Sequence, residues 1–148
     1  MIKFDLWIMW LKCVSIVFAA FGVFMALFNQ TPVFDIMFNS QIDPVFFGNA
    51  ELSQEIVHFQ QWIYGVLGAT CVLVGIMIFF IVDNAYRKKE RWAWNCLLFA
   101  LVSWIVIDMS VSLYFAVYFN AAFNALLFAA IIVPLLLTRK YFSEAQAA

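Results

Sequence analysis

Asp108 and Ser112 stand four residues apart, and so do Asn120 and Asn124. On a helix that interval places both members of a pair on one face. All four lie within or beside long apolar runs, where a polar side chain is costly unless it has partners. A carboxylate, a hydroxyl and two amides at one level would form a proton-sensitive or ligand-binding polar pocket. The same groups would equally form a hydrogen-bonded knot that fixes helix register, worth about 0.6–2 kcal/mol per contact. His58, Gln60 and Gln61 open another apolar run at a matching level, and Tyr64 and Tyr114 are placed to reach inward. The spacing thus predicts a polar centre built from Asp108, Ser112, Asn120, Asn124, His58, Gln61 and Tyr64.

An ionised carboxylate near mid-bilayer costs roughly 2.5–3.5 kcal/mol on insertion scales. No Lys or Arg lies at the expected depth of Asp108, so a neutral, hydrogen-bonded carboxyl is the expectation there. Other chemistry is sparse. Cys13, Cys71 and Cys96 fall in separate apolar runs without a C-x-x-C pair and read as small buried hydrophobes. His58 has no carboxylate or thiol partners at ligand spacing, so no metal is expected. No Ser-His-Asp pattern or glycine-rich phosphate loop occurs. Neither a catalytic residue nor a cofactor is therefore expected, and an enzyme is the least supported class.

The elements that must position these groups are helices crossing a bilayer. The chain has 148 residues, 67% of them hydrophobic and 11% charged, against about 45–50% and about 25% for a soluble domain. Four apolar runs, near residues 6–28, 59–82, 93–119 and 121–138, approach or exceed the roughly 20 residues a span needs. None alternates as a strand would. The first lacks a small-x-small cleavage site, so it reads as a span and not a signal peptide. Every Lys and Arg falls at the start, between spans two and three, or after span four. The positive-inside rule then makes both termini cytoplasmic and residues 29–58 extracytoplasmic. The expected fold is a single all-α domain, a four-helix transmembrane bundle. A net charge of −1 argues against nucleic acid as a partner. Trp92 and Trp94 are expected in an interfacial belt, Lys12 to snorkel to the inner surface, and Asp83 to pair locally with Arg87.

Residues 29–58 are rich in Phe, Ile and Met and carry Pro-Val-Phe twice, at Pro32 and Pro44. Such a segment would expose a large apolar patch as a free loop, so it is expected to cap the bundle. Asn49 followed by Glu51 suggests a helix start near Ala50. Gly65, Gly68, Val72 and Gly75 are spaced for close helix packing. Pro134 should kink span four, with the freed carbonyl satisfied by a neighbour.

The stretches FQQWIYGVLGA, KKERWAWNCLL, WIVIDMSVSLYF and VYFNAAFN resemble those of a group of uncharacterised bacterial four-span membrane proteins. The architecture is also loosely similar to the DoxX-like small membrane proteins. That resemblance implies a bacterial inner-membrane location and association with redox or membrane-bound partners, and it transfers no site residue. The leading expectation is a protein that binds a lipid or small amphiphile around Asp108. The alternatives are an accessory subunit of a membrane complex and an oligomeric, proton-linked transporter or channel. The expected partners are membrane lipids, a second copy of the chain, or another membrane protein.

Overall fold

The computed structural model describes residues 2–48 and 50–144. In chain order it forms α1 (Ile2–Phe28), α2 (Pro32–Phe34), a π-helical turn (Asp35–Asn39), α3 (Ser40–Phe47) and α4 (Gln54–Ile81). A second π-helical turn (Val82–Tyr86), α5 (Arg91–Tyr114), α6 (Tyr118–Thr138) and α7 (Lys140–Glu144) complete it. No strand occurs among the described residues. Four helices, α1, α4 with its π turn, α5 and α6, are long and apolar enough to cross a membrane. Their surface agrees, since Leu27, Phe99 and Leu126 are 74%, 69% and 73% exposed in a largely apolar exterior that water would penalise. The protein is an all-α, four-span integral membrane bundle. One end holds the start of α1, the α4–α5 connection and α7 (the terminal end). The other carries residues 29–48 and 50–53 (the capped end).

Two helix seams organise the bundle, α1 on α4 and α5 on α6, with α1 joining the pairs through α6. The α1–α4 seam is backbone against backbone. A Cβ added at Gly22 would lie 2.5 Å from the Gly68 carbonyl oxygen, and one at Gly75 would lie 2.8 Å from that of Ser15. One at Gly68 would lie 2.7 Å from the Ala26 nitrogen. Gly65, expected in the same seam, is not part of it, because a Cβ there meets nothing within 4 Å. Gly68 and Gly75 are two helical turns apart and keep one face, whereas Gly65 points off it.

The α5–α6 turn falls at residues 115–117, earlier than the boundary near Asn120 that hydropathy suggests. Ala116 takes φ 58°, Val117 N–H donates to the Ser112 carbonyl at 2.8 Å, and Ala116 N–H donates to that of Leu113 at 3.1 Å. This is a Schellman termination. No Gly or Pro marks it, so the apolar run reads straight through. The α4–α5 turn repeats the device at Lys89, with φ 61° and Glu90 N–H donating to the Ala85 carbonyl at 3.0 Å. A left-handed non-glycine residue costs about 1–2 kcal/mol, partly offset by the chain entropy glycine adds. Ala116→Gly should therefore raise stability by about 0.5–1 kcal/mol, read by unfolding in micelles. An equal loss would mean that the turn is held otherwise.

At the terminal end Phe4, Leu11, Val82, Tyr86, Leu97 and Leu135 form a buried core. Polar groups inside it are closed on one another. The Tyr86 hydroxyl bonds the Thr138 hydroxyl, and Thr138 Oγ1 donates to the Pro134 carbonyl at 2.6 Å. Pro134 has no N–H, which frees the Ala130 carbonyl, and Trp10 Nε1 donates to it at 2.8 Å. That matches the expected rescue by a neighbour. Arg139 N–H turns to Leu136, and the freed Leu135 carbonyl accepts from Trp94 Nε1 at 2.8 Å. Trp94 thus tethers α6 from inside the bundle, whereas Trp92 is exposed as a belt residue would be. Lys12 does not simply snorkel. Its Nζ lies 2.7 Å from Asp83 Oδ1, which Arg87 Nη2 also meets at 2.9 Å.

At the capped end residues 32–47 form one nearly continuous helical segment, broken only by the π turn. Phe34 and Phe38, four apart, are buried. They pack on each other and on Phe21 and Phe24 of α1, Tyr64 of α4, and Phe119 and Phe123 of α6, with ring centroids 4.8–6.0 Å apart. The expected apolar cap is present. Its two Pro-Val-Phe copies are not equivalent, since Phe34 is fully buried while Phe46 is 50% exposed. α4 begins at Gln54, with Ser53 at the N-cap position, four residues later than the start expected near Ala50. The Asn49 cap lies outside the described residues.

Candidate functional site

The polar centre expected from spacing forms in part. Asp108 and Ser112 lie on α5, Asn120 and Asn124 on α6, and the tight turn sets their register. Ser112 faces Asn120 and Asp108 faces Asn124, an antiparallel ladder with two rungs. Asn120 Nδ2 donates to Ser112 Oγ at 2.7 Å, and Asn124 Nδ2 donates to Asp108 Oδ2 at 2.6 Å. Longer contacts complete the cage. Asn120 Nδ2 reaches Asp108 Oδ1 at 3.5 Å and Oδ2 at 3.4 Å, and Ser112 Oγ reaches Oδ2 at 3.4 Å. Ser112 and Asn124 are buried, while Asp108 and Asn120 are half-buried. All but the Asn120–Ser112 bond deliver a donor to the carboxylate, so the cage satisfies Asp108 with neutral groups alone. Asp108 lies six residues from the end of α5, about 9 Å inside the capped end.

His58, Gln61 and Tyr64 do not join this cage. His58 is exposed on α4. Gln61 and Tyr64 line a separate cleft of about 500 Å³ between the cap and α4. Asp35, Asn39 and Asp43 project into it from the cap, and Gln60 faces them from α4. Asp108 lines neither this cleft nor the smaller one at the terminal end. The expected pocket around Asp108 is thus replaced by two features, a closed hydrogen-bonded cage and an open polar cleft.

The cleft is acceptor-rich. Gln60 Nε2 donates to Asp43 Oδ1 at 2.7 Å, the bond that ties α3 to α4. Asn39 Oδ1 is buried and has no hydrogen-bond partner, a condition that costs about 1–3 kcal/mol. Partial burial pushes the Asp43 carboxyl above its ordinary 3.8, the Gln60 bond opposes this, and the nearby Asp35 charge adds to the rise. No Lys or Arg occurs between residues 13 and 86 to neutralise these carboxylates. Beside the cleft the surface is apolar, with Trp62, Ile36 and Val66 each at least half exposed.

The cleft residues Asp35, Asn39, Asp43 and Gln60 were outside the predicted set. A signal for the first three exists in the sequence. They recur every four residues, offset by one from Phe34 and Phe38, which marks an amphipathic helix with one wet and one greasy face. No family model, no curated protein and no solved structure matches the chain.

Proposed function

We propose that the protein binds the head group of an ammonium-bearing lipid or small amphiphile in the cleft between the cap and α4. The single observation that carries this reading is a roughly 500 Å³ cleft lined by two carboxylates, Asp35 and Asp43, with no Lys or Arg in the lining. Acceptors without a cation among them favour a positively charged donor, and an ammonium offers its N–H groups in several directions. The hydroxyl of Tyr64 and the amides of Gln30 and Gln61 supply polar contacts for the rest of a head group. The neighbouring exposed apolar surface of α4 and the cap would take the tail. In this reading the terminal end, with all eight Lys and Arg, faces the cytoplasm of a bacterial cell and the cleft faces outward. A transport path has less support, because Leu97, Leu101 and Ile131 fill the interior between the Asp108 cage and the terminal-end core.

Thermal unfolding of the protein in a neutral maltoside detergent tests the reading. Dodecylammonium should raise the melting temperature, and dodecyl phosphocholine, whose quaternary amine has no N–H to donate, should do so less. The effect should grow as pH rises through the range in which Asp43 loses its proton, which lies above 3.8. Below that range the neutral carboxyl no longer attracts the ammonium. Asp43→Asn keeps an oxygen for Gln60 and should weaken both the stabilisation and its pH dependence, leaving only what Asp35 supplies. Equal shifts with both amphiphiles, or an undiminished one in Asp43→Asn, would sink the proposal.

A further inference from the structure

A second cleft, of about 320 Å³, lies at the terminal end and is lined by Asp5, Ile8, Met9, Lys12 and Arg87. Its charges are arranged asymmetrically. Lys12 and Arg87 converge on a single oxygen of Asp83, at 2.7 and 2.9 Å. Two cations on one carboxylate leave one positive charge over. They also leave donors over, since an ammonium carries three N–H groups and a guanidinium five. Those spare donors adjoin the cleft, and Arg87 remains 53% exposed by side chain. Asp5 is the other charge in the lining, seven residues before Lys12, about 10 Å away along the helix. It bounds the site toward the terminus and disfavours a polyanion. Towards the middle of the bilayer, Ile16 and Val23 continue the outer face of α1 below Lys12 and are exposed.

We propose that this cleft binds one monoanionic phosphate group, held between Lys12 and Arg87 with Asp83 fixing both cations. Asp83 is the positioning residue. It stops the lysine and the guanidinium from repelling one another and holds both beside the cleft, where Lys12 Nζ also lies 4.8 Å from the Phe79 ring centroid. The surplus of one charge matches a phosphodiester, which carries one negative charge, better than a phosphate monoester, which carries up to two. A phospholipid head group satisfies that chemistry with its chains against Ile16 and Val23. Free inorganic phosphate satisfies it without them.

Native mass spectrometry of the full chain released from micelles separates these outcomes. The lipid probes are phosphatidylglycerol and diacylglycerol of identical chains, each titrated alone, and inorganic phosphate is titrated in a parallel arm. One equivalent of phosphatidylglycerol should bind in clear preference to diacylglycerol, which lacks the phosphate. Arg87→Gln should weaken it about tenfold, the size expected for one charge-assisted hydrogen bond. Lys88→Gln removes the same charge from the adjacent exposed position, which lies outside the cleft, and should leave binding unchanged. Unaltered melting of Arg87→Gln certifies its fold. Saturable, Arg87-dependent binding of inorganic phosphate would support the same site with a soluble ligand. Equal weakening by Arg87→Gln and Lys88→Gln would reduce the effect to diffuse attraction at a basic surface and overturn the site. So would equal binding of the two lipids together with no binding of phosphate.

Discussion

Gly68→Ala should cost about 3 kcal/mol of stability, at the upper end of overpacking penalties, while Gly65→Ala should be neutral or stabilising by up to about 1 kcal/mol. The two glycines are one turn apart on α4, and alanine is the better helix former at both. Tertiary approach alone separates them. At Gly68 the added methyl meets the Ala26 nitrogen at 2.7 Å and overlaps the Gly22 carbonyl, whereas at Gly65 it meets nothing within 4 Å. Backbone atoms cannot rotate away as a side chain can, so α1 and α4 must separate. Separation is expensive in lipid, where water supplies no force to push helices back together and packing contact carries the association. It also strains what the seam holds at its ends, the Lys12–Asp83 pair and the Asn29 amide that donates to the Gln61 carbonyl at 3.4 Å. Gly22→Ala should behave like Gly68→Ala, because the same approach is seen from the other helix. Unfolding by graded sodium dodecyl sulfate in mixed micelles, followed by circular dichroism, gives the comparison. Equal losses at Gly65 and Gly68 would show that helix propensity or insertion, not the seam, controls the result.

That contrast also marks what the sequence can reveal. Hydropathy and the distribution of Lys and Arg identify four spans, because composition over 20 residues is a bulk property that tertiary detail does not alter. The ladder of Asp108, Ser112, Asn120 and Asn124 is legible for a similar reason. Two i,i+4 pairs on consecutive antiparallel helices must meet if the connecting turn is short. Features that depend on rotation about a helix axis are less visible. Gly65 and Gly68 look alike in the sequence, yet only one faces α1. Gln61 and Tyr64 stand at about the right height for Asp108 but face the cap instead. Lys12 finds Asp83 across 71 residues of chain, a pairing that spacing does not encode. The turn at Ala116 is hidden because a left-handed alanine carries no sequence mark.

The cage around Asp108 yields the second large effect. Asp108→Leu should destabilise the bundle by about 1–3 kcal/mol, because it strands the buried Asn124 donor and leaves Asn120 with only Ser112. Asn124→Leu alone should cost a similar amount by removing the shortest bond to the carboxylate. The double variant should be far less damaged than the sum of the two, since an apolar pair in place of a polar pair leaves no orphaned group on that rung. Coupling of about 1–3 kcal/mol in the cycle is therefore expected. Asp108→Asn should fall between wild type and Asp108→Leu. It retains an oxygen for Asn124, and the Asn120 amide can turn to offer its carbonyl to the new donor. These four proteins also separate the two roles open to an intramembrane carboxylate. If Asp108 serves only to lock α5 against α6, all the loss lies in unfolding, and dodecylammonium stabilises Asp108→Asn as much as wild type. If it communicates with the cap cleft, Asp108→Asn weakens that response beyond its effect on melting. The geometry favours the lock. Asp108 is absent from the cleft lining, its partners are neutral, and the ladder closes on itself at 2.6 and 2.7 Å.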